Sequence, residues 1–263
     1  MMQSPPPPPV TIVALGDSTT AGTPAFKSPI EAPPDGAGNP ESQFSYWLMK
    51  THPGWTVLNR GVNGEHTDQI AARFDRDVVA AKPAVVIIIA GVNDVYQGRP
   101  VSHVTTQLRA MYDRAIAVGI PIVAGTIVPY NTATDEQNSK MREINAWIAA
   151  QGRRDPRIRV VDTRAAVAAP GQPDRLAGSP DGLHPDVEGY RNMAGALAPV
   201  IAALKRFLPE VIDPPAGSPG RYQPACIRRT WRSPAPSPLP KTVGSSRRPP
   251  RHRSARATPP PPR

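Results

Sequence analysis

Between residues 10 and 212, short apolar runs alternate with longer stretches in which apolar and polar positions recur at helical spacing. Residues 10–15 (VTIVAL) read as a first buried strand and 56–59 (TVLN) as a short second one. The run 84–90 (AVVIIIA) is the clearest: continuous, β-branched and preceded by Pro83, as a central parallel strand covered on both faces should be. Residues 121–127 and 158–161 supply a fourth and a fifth strand. The stretches between predict helices over 43–50, 67–81, 102–118, 135–151 and 185–208, with Ser102 capping the third. In the fourth, Met141, Ile144, Trp147 and Ile148 share one face and point to a core. Strands and helices in alternation predict a three-layer α/β/α sandwich around a five-stranded parallel sheet, with right-handed crossovers leaving few topologies. Two connections, 23–41 and 163–180, are longer than usual, and loops of that length carry function or move.

Charge divides the 263 residues unevenly. Residues 214–263 hold eleven Lys plus Arg, no Asp or Glu, and fourteen of the 36 prolines, which leaves 20 basic against 21 acidic residues in the rest. The basic pI therefore belongs to the tail, and the body, residues 10–212, is nearly neutral. A segment so rich in Pro and Arg buries too little apolar surface to offset its ordering entropy, so 213–263 is expected to be disordered. Its charge suits nucleic acid or an anionic polymer, but its aromatics are only Tyr222 and Trp231, and no zinc-finger or helix-turn-helix spacing accompanies them.

Residues 1–9 end in five consecutive prolines, with no basic and apolar leader ahead of the first strand. No run approaches the eighteen or so apolar residues of a membrane span, which leaves the cytoplasm as the default compartment. Cys226, the single cysteine, excludes an intrachain disulfide and a cysteine-built metal site.

Chemistry concentrates in four short blocks. Gly16-Asp17-Ser18 follows the first strand, where Gly16 lets the chain turn and a serine can lift its hydroxyl above the sheet edge. Alone, this tripeptide is also a common helix cap. Of the histidines in the body, only His184 sits in a loop with a carboxylate, Asp181, three residues upstream and a proline after it. That pair suits a base that accepts the serine proton and a buried acid that fixes the base's tautomer. Asn93, in Gly91-Val92-Asn93-Asp94 after the strongest strand, can donate its amide to a developing oxyanion, and Gly64, after the second strand, can offer a free N–H. Gly61 competes with Gly64 for that place. Asp94 is expected to brace its loop by hydrogen bonds.

These blocks, in this order, resemble those of the SGNH hydrolases, the GDSL esterase/lipase family, over residues 10 to about 208. The block here reads Gly-Asp-Ser-Thr rather than Gly-Asp-Ser-Leu, a change outside the reacting groups. The resemblance implies a flavodoxin-like sheet, a serine esterase with a Ser18–His184–Asp181 triad, an oxyanion hole from Ser18, Gly64 and Asn93, and no cofactor or metal. With few aromatics and no extended apolar insertion, short acyl esters, such as acetyl groups on a sugar or small alcohol, are the expected substrates, and residues 23–41 and 128–131 the expected cleft walls. A lysophospholipase, thioesterase or acyltransferase would use the same residues, and a polymer-binding protein led by the basic tail would need none of them. A metal hydrolase built on Asp17, Asp94, Asp181 and His184 lacks close ligand spacing. Oligomeric state is not legible.

Overall fold

The computed structural model describes residues 9–204. The proline run up to Pro8, the basic tail and the last residues of the expected final helix lie outside them. Five parallel strands form the sheet: β1 (Val10–Gly16), β2 (Trp55–Gly61), β3 (Val85–Ile89), β4 (Ile122–Gly125) and β5 (Ile158–Val161). Their order is β2-β1-β3-β4-β5, so the chain reverses its direction of travel across the sheet after β2. Ligands in such sheets bind beyond the carboxyl ends at that reversal. The register makes it concrete. Gly16 stands opposite Gly61 on one side and Ile89 on the other, so the first three strands end level and release their loops at one height.

The helices are α1 (Ser18–Ala21), α2 (Phe44–Thr51), α3 (Thr67–Ala72), α4 (Val92–Tyr96), α5 (Val101–Ala117), α6 (Asp135–Arg154), α7 (Thr163–Val167) and α8 (Val187–Leu204). The strands' alternation sorts the core into two layers. Val13, Leu15, Val86 and Ile88 meet Ile70 of α3, Leu108 and Met111 of α5, and Ile144 and Ile148 of α6. On the other face Ile12, Ala14, Val85 and Ile87 meet Phe44 and Leu48 of α2 and Tyr190, Leu197 and Ile201 of α8. Each such side chain, taken fully from water, contributes about 1.5–3 kcal/mol, so the sheet is held from both sides. No described helix is long and apolar enough to cross a membrane.

Several boundaries differ from the sequence pattern. The second strand is longer than 56–59 because Trp55, Arg60 and Gly61 also pair with Val10, Leu15 and Gly16 of β1, while the buried Asn59 side chain bonds α1 and the Gly61 N–H. The helix expected over 67–81 stops at Ala72, and a π turn over Asp75–Val79 follows. Ser102 is not a cap: Pro100, at φ −70° and ψ 150°, holds the cap position, and the Ser102 carbonyl instead accepts the Thr106 hydroxyl. Thr134 caps α6 in a reciprocal box with Gln137. Neither long connection is plain loop. Residues 23–41 contain a ribbon of Phe26–Lys27 with Ala37–Gly38, and 163–180 contain α7 and a ribbon of Ala168–Ala169 with Gln172–Leu176.

Candidate active site

Ser18 opens α1 directly beyond β1. The Asp17 side chain caps that helix by accepting the Thr19 N–H at 3.0 Å, so the helix-cap reading of the block is also true. Beneath α1 lies Gly61. A Cβ there would sit 2.1 Å from the Ala21 nitrogen, so only glycine lets β2 pass this close. Asn59 completes the seat by donating to the Ala21 carbonyl at 3.1 Å.

The Ser18 Oγ stands 2.9 Å from His184 Nε2, across 166 residues of chain. On the other side of the ring, His184 Nδ1 lies 2.7 Å from Asp181 Oδ2. Donation from Nδ1–H to that carboxylate leaves the Nε2 lone pair facing the serine hydroxyl. Asp181 Oδ1 accepts the N–H groups of Leu183 at 2.8 Å and His184 at 2.9 Å. Ser179 Oγ donates to the His184 carbonyl and accepts the Gly182 N–H, and the Gly182 carbonyl accepts the Asn131 N–H. Burial raises the Asp181 carboxyl, but the His184 ring and the two loop N–H groups outweigh it and hold the acid below its ordinary value. Asp181 differs from the expected buried acid: 28% of its side chain stays exposed, whereas Ser18 and His184 are buried.

The other blocks close in from β2 and β3. Asn93 lies in the first turn of α4, not in a loop, and one of its amide hydrogens goes to the Glu65 carbonyl at 3.0 Å. The second hydrogen meets no acceptor among the described residues, and Asn93 lines the cleft. Gly64 adopts φ +77°, the left-handed region glycine favours, in a turn that the Asn63 N–H fastens to Glu31 Oε1. Of the two competing glycines, Gly61 has its N–H engaged by Asn59, while the Gly64 N–H meets no acceptor among the described residues. Asp94 braces as expected, accepting the Thr67 N–H and hydroxyl.

Together these groups border a cleft of about 160 Å³. Ser18, Thr19 and His184 form one end, Asn63 and Asn93 a polar side, and Val92, Tyr96, Tyr130 and Leu183 an apolar one. Residues 128–131 therefore reach the cleft through Tyr130, as expected. Residues 23–41 do not: they border a separate groove beside β2 and support the site from behind, the Thr23 N–H donating to the Ser18 carbonyl, the Ser28 hydroxyl to the Gly61 carbonyl, and Glu31 accepting the Asn63 N–H. The pattern missed Tyr96 and Leu183, both exposed apolar side chains that line the cleft. Tyr96 sits one helical turn after Asn93, a spacing legible only once that block is read as helix.

Two buried groups complete the electrostatics. Asp17, buried beside Ser18, is pushed up to about 7 by loss of water, and the nearby Asp94 charge adds to the rise. The Tyr130 hydroxyl is pushed up to about 12 by burial. Asp17, Asp94, Asp181 and His184 do not gather as a ligand set. The one cluster of metal-type ligands among the described residues, Asp68, Asp94 and His103, is bridged by Arg99, which lies 2.8 Å from Asp68 and 3.0 Å from His103.

Fold and cleft together define a class, the three-layer acyl hydrolases, in which a parallel sheet presents a serine hydroxyl beyond its carboxyl edge. More narrowly, the chain belongs to the GDSL-like lipase/acylhydrolase family, whose model matches residues 14–191, and it is a carboxylic ester hydrolase. It is 30% identical over 164 residues to an acetylxylan esterase of Geobacillus stearothermophilus, an alignment covering 57% of this chain and 74% of the relative. A solved lipolytic protein of the G-D-S-L family from Desulfitobacterium hafniense superposes with a TM-score of 0.60 at 27% identity, over 73% of this chain and 99% of that one. The crystal structure of an acetylxylan esterase from Geobacillus stearothermophilus gives 0.58 at 23% identity over 74% and 94%, a likeness of fold.

Proposed function

We propose that this protein is a serine esterase that removes short acyl groups, of acetyl size, from a carbohydrate or small alcohol. The observation that carries the reading is the line from Ser18 Oγ through His184 to Asp181, at 2.9 and 2.7 Å, opening into the cleft. Ser18 attacks the ester carbonyl as His184 Nε2 takes its proton, and Asp181 stabilises the imidazolium. The N–H groups of Ser18 and Gly64 and the free amide hydrogen of Asn93 hold the oxyanion. His184 then protonates the leaving alkoxide, and the alcohol departs. Water, activated by the same imidazole, releases the acyl group from Ser18 as a carboxylic acid.

Size supports the short acyl group. A cleft of about 160 Å³ is well below the roughly 300 Å³ at which sites begin to engulf drug-sized molecules, which favours a small acyl group. The relative described as an acetylxylan esterase supports a sugar as the alcohol.

The test is hydrolysis of nitrophenyl esters from acetate to palmitate by the full chain and by Ser18→Ala. Activity highest on acetate and lowered about a thousandfold or more in the variant is expected, as for a lost nucleophile. Undiminished activity in the variant refutes the nucleophile. Preference for the long esters refutes the acyl class and favours a lysophospholipase or thioesterase.

A further inference from the structure

Arg73 lies where α3 ends and the π turn begins, buried, and its guanidinium joins segments that the reaction needs held together. One terminal nitrogen donates to the Gly16 carbonyl at 2.8 Å, two residues before Ser18. The other donates to the Arg60 carbonyl, at the end of β2, at 2.8 Å and to Asp77 at 2.7 Å. Nε donates to Glu65 Oε2 at 2.6 Å. Glu65 is the residue after Gly64, and its carbonyl is the acceptor that orients the Asn93 amide. A single planar cation thus reaches the Ser18 block and the Gly64 block directly, and the Asn93 block through one residue.

We infer that Arg73 is a positioning residue for the oxyanion hole: it fixes the mutual placement of Ser18, Gly64 and Asn93 without touching substrate. The inference rests on the roles proposed for those three residues. The chemistry fits arginine specifically, because four acceptors in different directions need a rigid fork with several N–H groups, which a lysine ammonium on a flexible stem does not supply. Asp77 and Glu65 answer the buried charge, so the cation stands without a partner from substrate. Asp77, four residues on, lies one helical turn from Arg73 and on the same face.

The test is a double-mutant cycle on nitrophenyl acetate with Arg73→Lys, Asn93→Ala and the pair. A group that sets geometry acts on kcat, and misplacement on the scale of an ångström costs about a hundredfold. Arg73→Lys is expected to lower kcat by roughly ten- to a hundredfold with KM changed less than about threefold, and in the Asn93→Ala background its effect should shrink by about tenfold, since one target of the fork is already gone. If Arg73→Lys does not fold, Glu65→Gln enters the same cycle, because it loosens the fork while keeping the Glu65 carbonyl. Effects that multiply independently, a loss carried in KM, or unchanged kcat overturn the role of Arg73. Full activity in Ser18→Ala or Asn93→Ala overturns instead the site assignment beneath it.

Discussion

Asp17 is a carboxyl placed where ionisation is unfavourable, and replacing it with asparagine should make that visible. Its value in the fold is about 7, against an ordinary 3.8, with burial the main cause. The folded protein therefore holds a proton on Asp17 that the unfolded chain has already released between about pH 4 and 7. Stability from this group is fully present below the unfolded value and is lost as pH rises to the folded one, after which the loss is constant. From pH 5 to 7 the change spans two pH units at about 1.4 kcal/mol each, so roughly 3 kcal/mol disappears by pH 8. Asparagine caps a helix as well as aspartate does and has no charge to bury. Comparison of wild type with Asp17→Asn cancels the other titrating groups to first order. Thermal unfolding at pH 5 and pH 8 is the assay: for a domain of this size 3 kcal/mol corresponds to about 6–12 °C, and the variant should gain that much on wild type between the two conditions. An equal difference in Tm at both pH values would refute the assignment of a buried, reluctantly ionised acid beside Ser18.

Two further substitutions test the seat of the reacting groups. Asp181→Asn should turn an amide N–H towards His184 Nδ1, force the proton onto Nε2 and so block proton transfer from Ser18. The expected loss in kcat is roughly a hundredfold or more, within the range for general acid–base catalysis, with Tm little changed, read by steady-state kinetics and thermal unfolding. Gly61→Ala places a Cβ 2.1 Å from the Ala21 nitrogen, backbone that cannot turn aside, so α1 must shift. Destabilisation of about 1–3 kcal/mol in urea is expected, together with lost activity, while Gly54→Ala, which faces open space, should leave both as they were.

The five strands and most helices were legible because their signals are local: a β-branched run such as 84–90 needs no partner to be read. The blocks carrying Ser18, Asn93, Asp181 and His184 were legible for a different reason. Their residue types and order are unusual together, and the level ends of β1 and β3 then bring the Ser18 and Asn93 blocks to one edge, with the Gly64 block beside them after β2. What escaped was decided by contact across the fold. Arg73 looks like one more polar position on a helix face until the Gly16 and Arg60 carbonyls are beside it. Asn59 sat at a predicted strand end, yet the pattern could not show that its side chain supports α1. Thr134 with Gln137 is a miss of another kind, since a threonine three residues before a glutamine is itself a recognised start signal.

His184 and Asp181 are carried on one four-residue stretch and fastened to each other by two bonds, with a third from the Leu183 N–H between them, whereas Ser18 meets them through a single contact across the domain. The proposed catalytic line has one joint. Displacement of the 179–184 loop would carry base and acid away as a unit, their mutual alignment intact, and open only the gap to the serine. Such a movement would silence the nucleophile while leaving the imidazole poised, so activity would return in full with that one distance.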